Sequence, residues 1–197
     1  LRHELSTGVH VQSDLPRHML EFMAQGRAVT LQDHTEMRYA DGNARLRFRI
    51  DIDHAHKIFG SAKSELTHEE HVEVETPSTA KKPVPLLRNH IEAGLTRDAG
   101  KLAVSLGGRY ESWNFRDVDA IDGSLLDQDF RDISRTGPFM RLAYRPSPGY
   151  AWVGEAKGIW QTSRGDGILA HNGRGYELRA GVEMEMSPLV KFALMGG

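Results

Sequence analysis

Over residues 140–161 of this chain every charged residue occupies an odd position, whereas the even positions are apolar, glycine or proline. Met140, Leu142 and Tyr144 alternate with arginine and alanine in the first half, and the alternation resumes after Ser147-Pro148-Gly149. A period of two residues is that of a β-strand with one apolar and one polar face, and Pro with Gly in a short connection is a hairpin signal. The stretch therefore predicts a β-hairpin whose two faces differ in chemistry.

Two aromatic residues of this hairpin, Tyr150 and Trp160, lie ten residues apart on its apolar face. Ten residues at ~3.3 Å each, tilted by ~40°, span roughly 25 Å of height. That height is the apolar band of an outer-membrane β-barrel between its two aromatic girdles. The spacing therefore favours a strand that crosses a membrane.

The same alternation recurs along the whole chain and predicts ten strands. It is clearest over residues 44–52, where apolar Leu46, Phe48 and Ile50 alternate with arginines. At Asp41-Gly42-Asn43 the alternation changes parity, which predicts a turn or a bulge.

The connections between the predicted strands also alternate in length. Tight turns are predicted near residues 14, 54, 99, 148 and 188, and longer polar loops near 33, 75, 122 and 168. Short turns at one end and long loops at the other are typical of an antiparallel, up-and-down transmembrane barrel. The chain begins and ends inside strand patterns, so we expect a single barrel domain over residues 1–197 that is a piece of a longer barrel.

Composition excludes several other classes of protein. The chain has no cysteine, so neither disulfides nor thiolate metal sites can hold the fold together. Its net charge of −2 gives no electrostatic case for nucleic-acid binding. No run approaches the ~18 apolar residues of a membrane helix.

The polar face of the predicted strands is densely ionic, and this decides how we interpret the alternation. A soluble, lipocalin-like binding barrel would turn its apolar face inward, and alternation alone cannot exclude it. So many charges favour a membrane barrel with a polar lumen. The residues predicted to line that lumen are Arg45, Arg47, Arg49, Lys63, Glu65, Arg88, Glu92, Arg109, Glu111, Arg141, Glu155, Lys157, Arg179 and Glu183.

Aromatic residues gather near the ends of the predicted strands, where the girdles of a membrane barrel lie. The residues predicted to form these girdles are Tyr110, Trp113, Tyr144, Tyr150, Trp152, Trp160 and Tyr176.

Three arginines, Arg45, Arg47 and Arg49, project from one face of one strand about 7 Å apart in succession. This arginine ladder predicts a modest preference for anions, because charged linings set the selectivity of a pore. A wall of paired and mutually screened charges remains an equal alternative, since glutamates lie on the neighbouring strands.

Candidate sites for chemistry are weak. His68-Glu69-Glu70-His71 is one residue shorter than the zinc helix motif and lies in a strand context. Six aspartates in 117–132 could offer oxygen ligands to a divalent cation, but they lack the EF-hand spacing, and a hydrated acidic loop is the simpler interpretation. The chain lacks a G-x-S-x-G motif and a Walker A lysine. We therefore predict a non-enzyme with no catalytic, cofactor or metal site. An outer-membrane hydrolase would need an Asp/His or Ser/His/Asp cluster at the loop end.

Three segments carry a resemblance to a known family: Leu126–Asp132, Tyr144–Tyr150 and Gly175–Val182. Over most of its length, and most clearly after Leu86, the chain resembles the bacterial outer-membrane proteins called putative β-barrel porin type 2. The resemblance implies a transmembrane barrel in the outer membrane of Gram-negative bacteria. Such proteins often sit beside surface-polysaccharide genes, which implies export components as partners.

The sequence therefore predicts an outer-membrane barrel that contacts lipid and lipopolysaccharide. It would act as a passive pore or as an accessory to surface-polysaccharide export. The main alternative is a non-conducting structural barrel whose lumen is closed by salt bridges.

Overall fold

The computed structural model describes residues 2–13, 15–31, 38–69, 80–165, 171–187 and 190–197. Ten long strands form a single antiparallel sheet in which sequential strands are neighbours, so the prediction of an up-and-down fold with about ten strands is confirmed. No helix within these ranges is long and apolar enough to cross a membrane. The strands are β1 (Arg2–Gln12), β2 (His18–Leu31), β3 (Tyr39–Asp51), β4 (His56–His68), β5 (Pro85–Ala99), β6 (Leu102–Phe115), β7 (Val118–Asp119), β8 (Leu125–Leu126), β9 (Ile133–Ser147), β10 (Tyr150–Ser163), β11 (Gly173–Ser187) and β12 (Val190–Gly196).

The connections alternate in length as predicted, wherever the structure describes them. Tight turns join β3 to β4, β5 to β6 and β9 to β10, and Gly100 and Gly149 adopt positive φ in the last two. The long connection between β6 and β9 contains the short β7–β8 hairpin and a 3-10 turn, Asp129–Arg131. The centres of the turns predicted near 14 and 188 and of the loops predicted near 33, 75 and 168 lie outside the described residues.

The two faces of the sheet differ in exposure as well as in chemistry. In the sequence of β10, Ala151 and Val153 are only 9% and 3% exposed, whereas Trp152 between them is 55% exposed. The same contrast holds across the sheet, since large apolar side chains on the face of Trp152 are exposed on every long strand. We call this the apolar face and the opposite side the charged face. The charged face is the more shielded of the two.

The bulge predicted at Asp41-Gly42-Asn43 is wrong. These residues pair in unbroken register with Arg27, Gly26 and Gln25 of β2. The change of parity in the sequence arises because Tyr39, an aromatic residue, occupies a register position of the charged face.

The pairing of β9 with β10 is interrupted in the middle of β9, at Gly137-Pro138, while the register of the two strands shifts between Tyr150 and Trp152. Proline has no N–H to donate, and the ladder between β9 and β10 skips from the Phe139–Lys157 pair to the Thr136–Trp160 pair. There the backbones approach so closely that a Cβ on Gly137 would overlap the carbonyl oxygen of Gly158. Glycine is therefore required at position 137.

Candidate functional site: the charged face

The register brings the fourteen predicted lumen residues onto one face of the sheet. Rows of paired residues run across the strands, and one row joins Arg47, Ser61, Glu92, Arg109 and Gly137. The strands on either side of each residue therefore fix which charges can meet.

Opposite charges pair across this face. Arg141 contacts Glu155 at 3.3 Å and Glu183 at 2.5 Å, and Lys157 contacts Glu177 at 3.3 Å. These side chains are partly exposed, so each ion pair contributes little to stability. Their larger effect is to cancel charge along the wall.

The arginine ladder is partly neutralised in the same way. Arg47 lies 3.5 Å from Glu21, and Arg49 lies 3.1 Å from Asp51. Arg45 stands between Met23 and Lys63 in the register and forms no ion pair with any described residue. Two charges of the arginine ladder are therefore paired, as in a screened wall, and one is unpaired among the described residues, as a path for anions would need.

An aromatic patch interrupts the charges near the centre of the face. One register row runs from Phe59 through Gly94 and Gly107 to Phe139, so two glycines separate two phenylalanines. Each ring leans over the neighbouring glycine, and the ring centroids lie 6.1 Å apart. Both rings border an open cavity of about 320 Å³, whose other lining residues are Glu92, Ser105, Arg109, Met140, Arg141, Glu155 and Lys157.

The long-loop end of the charged face carries a buried ion pair. Arg131 donates to both carboxylate oxygens of Glu69, at 2.6 and 2.9 Å, and also donates to the side chain of Gln128 at 3.2 Å. The side chains of Arg131 and Glu69 are only 9% and 7% exposed. The guanidinium also lies 4.1 Å from the ring centroid of Phe115, a cation–π contact. We call Glu69 and Arg131 the loop latch, since they join the β4 end to the 116–132 connection.

Apolar packing surrounds the loop latch. Val84 and Val118, from two different loops, form a buried cluster against Phe115. Asp132, also buried, accepts hydrogen bonds from the N–H of Phe115 at 2.8 Å and from the side chain of Asn114 at 3.1 Å. Because Phe115 occupies a charged-face position of β6, this connection packs against that face. Asp132 is thus an exception to the predicted hydrated acidic loop, whereas the other five aspartates of this connection are exposed as predicted.

The predicted metal candidates have a simpler explanation as loop structure. Carboxylate oxygens of Asp117, Asp127 and Asp129 lie within 4.8 Å of one another, but all three residues are exposed. Asp117 and Asp127 accept hydrogen bonds from the backbone N–H groups of Gln128 and Asp129.

Two histidines near the predicted turns and loops, His68 and His56, also have protein partners. His68 hydrogen-bonds Asp41 at 2.8 Å, and Glu69 belongs to the loop latch, whereas residues 70 and 71 lie outside the described ranges. In the β3–β4 turn, the side chain of His56 hydrogen-bonds the carboxylate of Asp53 at 2.9 Å. This bond, with the backbone N–H groups of Ala55 and His56, lowers the pKa of Asp53 to about 2.

Six of the seven predicted girdle residues occupy positions of the apolar face. Tyr110 and Trp160 lie in one register row, with Thr136 between them. The next row on this face contains Asn89 and Ser112, whose side chains hydrogen-bond at 3.2 Å. Tyr150 and Trp152 pack edge to face at the opposite end. Trp113 is the exception.

Trp113 occupies a charged-face position, where it pairs in register with Arg88 and Ile133. The guanidinium of Arg135 lies 4.9 Å from its ring centroid. Trp113 was assigned to the girdle because it lies close to a strand end, and closeness to a strand end does not determine which face a residue occupies. Its odd position, shared with Arg109 and Glu111, was the signal that could have shown this.

Sequence reasoning missed two groups of residues at this face. Phe59 and Phe139 were missed because single apolar residues among charges were not counted as a pattern. The loop latch joins residues 62 positions apart, and no periodicity reports such a contact.

Comparison with known proteins agrees with this architecture. No curated protein matches the chain. The sequence profile of the family described as putative beta-barrel porin 2 matches residues 2–195, which is nearly the whole chain. The chain belongs to the putative beta-barrel porin 2 family.

Proposed function

We propose that this protein is an outer-membrane pore whose charged face lines a water-filled lumen and whose apolar face contacts lipid. The observation that carries this proposal is the exposure of large apolar side chains all along one face. Contiguous apolar surfaces of this extent mark contact with protein or membrane. A lipocalin-like soluble barrel would shield this face, whereas here it is the charged face that is shielded.

The energy of the opposite arrangement supports the same orientation. An arginine or lysine on the lipid face near the midplane costs about 2–4 kcal/mol. Arg45 and Arg47 lie well inside β3, as Arg141 does in β9. Turning the charged face to lipid would add several such penalties together.

Because the chain lacks cysteine, single cysteines can report the orientation directly. Leu46→Cys and Arg47→Cys are neighbours on opposite faces of β3 and form a matched pair. In lipid vesicles containing the full-length protein, a charged, water-soluble thiol reagent should label Arg47→Cys and leave Leu46→Cys unlabelled. The reverse pattern would overturn the proposed orientation.

We propose passive passage of solutes, or an accessory part in surface-polysaccharide export, as the role of the lumen. Single-channel recording of the full-length protein in planar bilayers tests conduction, and stable ionic currents are expected.

A second candidate is a non-conducting structural barrel. The paired charges along the wall and the connection latched against the charged face favour it. Silent bilayers that contain protein with the labelling pattern above would support this sealed barrel instead of the pore.

A further inference from the structure

The aromatic patch at the centre of the charged face joins three features in one place. It has two phenyl rings, a cavity of about 320 Å³ beside them, and side chains of both charges around the rim. Ligand sites are typically concave and combine apolar contacts with a few placed polar groups, and this volume is near their lower limit. We propose that the patch formed by Phe59, Phe139, Glu92 and Arg109 binds one ring of a neutral saccharide. This inference rests on the proposed function, since it needs a charged face that water and solutes can reach.

The glycines explain why the patch is open to a ligand. Gly94 and Gly107 stand between the two phenylalanines in the row, so no side chain rises between the rings. A Cβ on Gly94 would lie 2.8 Å from the ring of Phe59, and one on Gly107 would also collide with Phe139. The rings can therefore lie low along the sheet and form an apolar floor. The C–H face of a pyranose ring suits such a floor.

The polar rim favours hydroxyl groups over a charged ligand. Arg141 is already paired with Glu155 and Glu183, and Lys157 with Glu177. Glu92 and Arg109 directly oppose each other on β5 and β6, yet neither forms an ion pair with the described part of the chain. They carry opposite signs, so the rim offers one strong acceptor and one strong donor without excess charge. A hydroxyl can donate to the carboxylate and accept from the guanidinium, so a polyhydroxylated neutral ring satisfies both.

The simplest alternative is that the phenylalanines merely cover the glycines. The chain itself offers a control, because Phe48 leans over Gly60 in the same manner. A Cβ on Gly60 would lie 2.5 Å from the Phe48 ring. Phe48 belongs to the apolar face, however, and cannot reach a ligand on the charged face. Phe48→Leu therefore removes a glycine-covering ring without touching the proposed site.

The test is calorimetric binding of maltohexaose, a neutral oligosaccharide, to the full-length protein in a detergent without a sugar headgroup. Phe59→Leu combined with Phe139→Leu should weaken binding by about tenfold or more, because both rings of the apolar floor are lost. Phe139→Tyr, which keeps the ring, should retain binding, and so should Phe48→Leu. The folded state of each variant is checked by circular dichroism.

Three outcomes would overturn the inference. They are no binding of maltohexaose by the unmodified protein, equal weakening by Phe48→Leu and by the double variant, and tighter binding of an oligogalacturonate than of the neutral probe. Calorimetry does not require conduction, and cysteine labelling does not require a ligand. The saccharide site and the proposed pore can therefore fail separately.

Discussion

The loop latch gives the sharpest test of how the long-loop end is held. Arg131→Met removes the guanidinium and leaves the Glu69 carboxylate buried without its bidentate partner. Breaking a buried ion pair in this way typically costs about 3–5 kcal/mol. We expect about 3 kcal/mol, the lower end, because the cluster lies at a loop end where it can open locally to water.

Amide hydrogen exchange over residues 80–84 and 114–132 of the full-length protein measures this cost. The backbone N–H of Lys81 bonds Asp119 at 2.8 Å, and that of Gln128 bonds Asp117 at 2.9 Å, so both should report opening of the connection. A loss of ~3 kcal/mol corresponds to about a hundredfold faster exchange through local opening. The tight-turn ends of the strands should exchange as before.

Two controls make the result interpretable. Lys63→Met breaks an ion pair of similar length, 2.7 Å to Glu65, whose side chains are 36% and 35% exposed. It should cost less than ~1 kcal/mol. The double variant Glu69→Leu/Arg131→Met replaces both charges with apolar groups and should recover most of the protection. If Arg131→Met changed exchange no more than Lys63→Met does, burial of the loop latch would not matter and the reasoning would fail.

Three other measurements follow from the structure. Gly137→Ala should block the close approach of β9 and β10 and lower the urea concentration needed for unfolding. Gly154→Ala is the control, because a Cβ there would have no neighbour within 4 Å, and it should leave that concentration unchanged. Equal effects of the two substitutions would contradict the close approach. Replacing all three residues of the arginine ladder by Gln should shift the reversal potential in a salt gradient toward cations, less so at 1 M salt, where screening shortens to ~3 Å; an unchanged potential would discard the anion preference. The Asp53 carboxylate stabilises the fold above about pH 4, and the wild-type protein loses this stability as the pH falls toward 2. Asp53→Asn lacks this contribution at every pH, so the urea concentrations that unfold the two proteins should converge near pH 2. A difference that stays constant with pH would refute the assignment.

Sequence alone could predict the strands and their faces because both depend on local alternation. The alternating charges of β3 predict a strand, and the Pro148-Gly149 pair before β10 predicts a reversal of the chain, in each case from neighbouring residues alone. A turn glycine such as Gly149, with φ of +75°, marks a reversal that any chain must make there. These elements needed no knowledge of distant residues.

The loop end could not be predicted in the same way, because its contacts join distant parts of the chain. Val84 and Val118 meet in one cluster, although neither lies in a long alternating stretch. One local signal was available and was overlooked: Asp122-Gly123 lies between apolar Val118 and Leu125 and is a common hairpin turn pair. It marks the β7–β8 hairpin that the structure contains.

The phenylalanines that lean over glycines have a consequence for how the strands find their partners. A shift of two residues between neighbouring strands preserves the alternation, so hydrophobic patterning cannot reject it. Such a shift would move the Phe139 ring from Gly107 onto Arg109 or Ser105, where a side chain already occupies the space. Phe59 and Phe48 would meet the same obstruction on their own neighbouring strands. Three contacts between a phenylalanine ring and a glycine, each between a different pair of neighbouring strands, thus distinguish the native register from registers shifted by two residues.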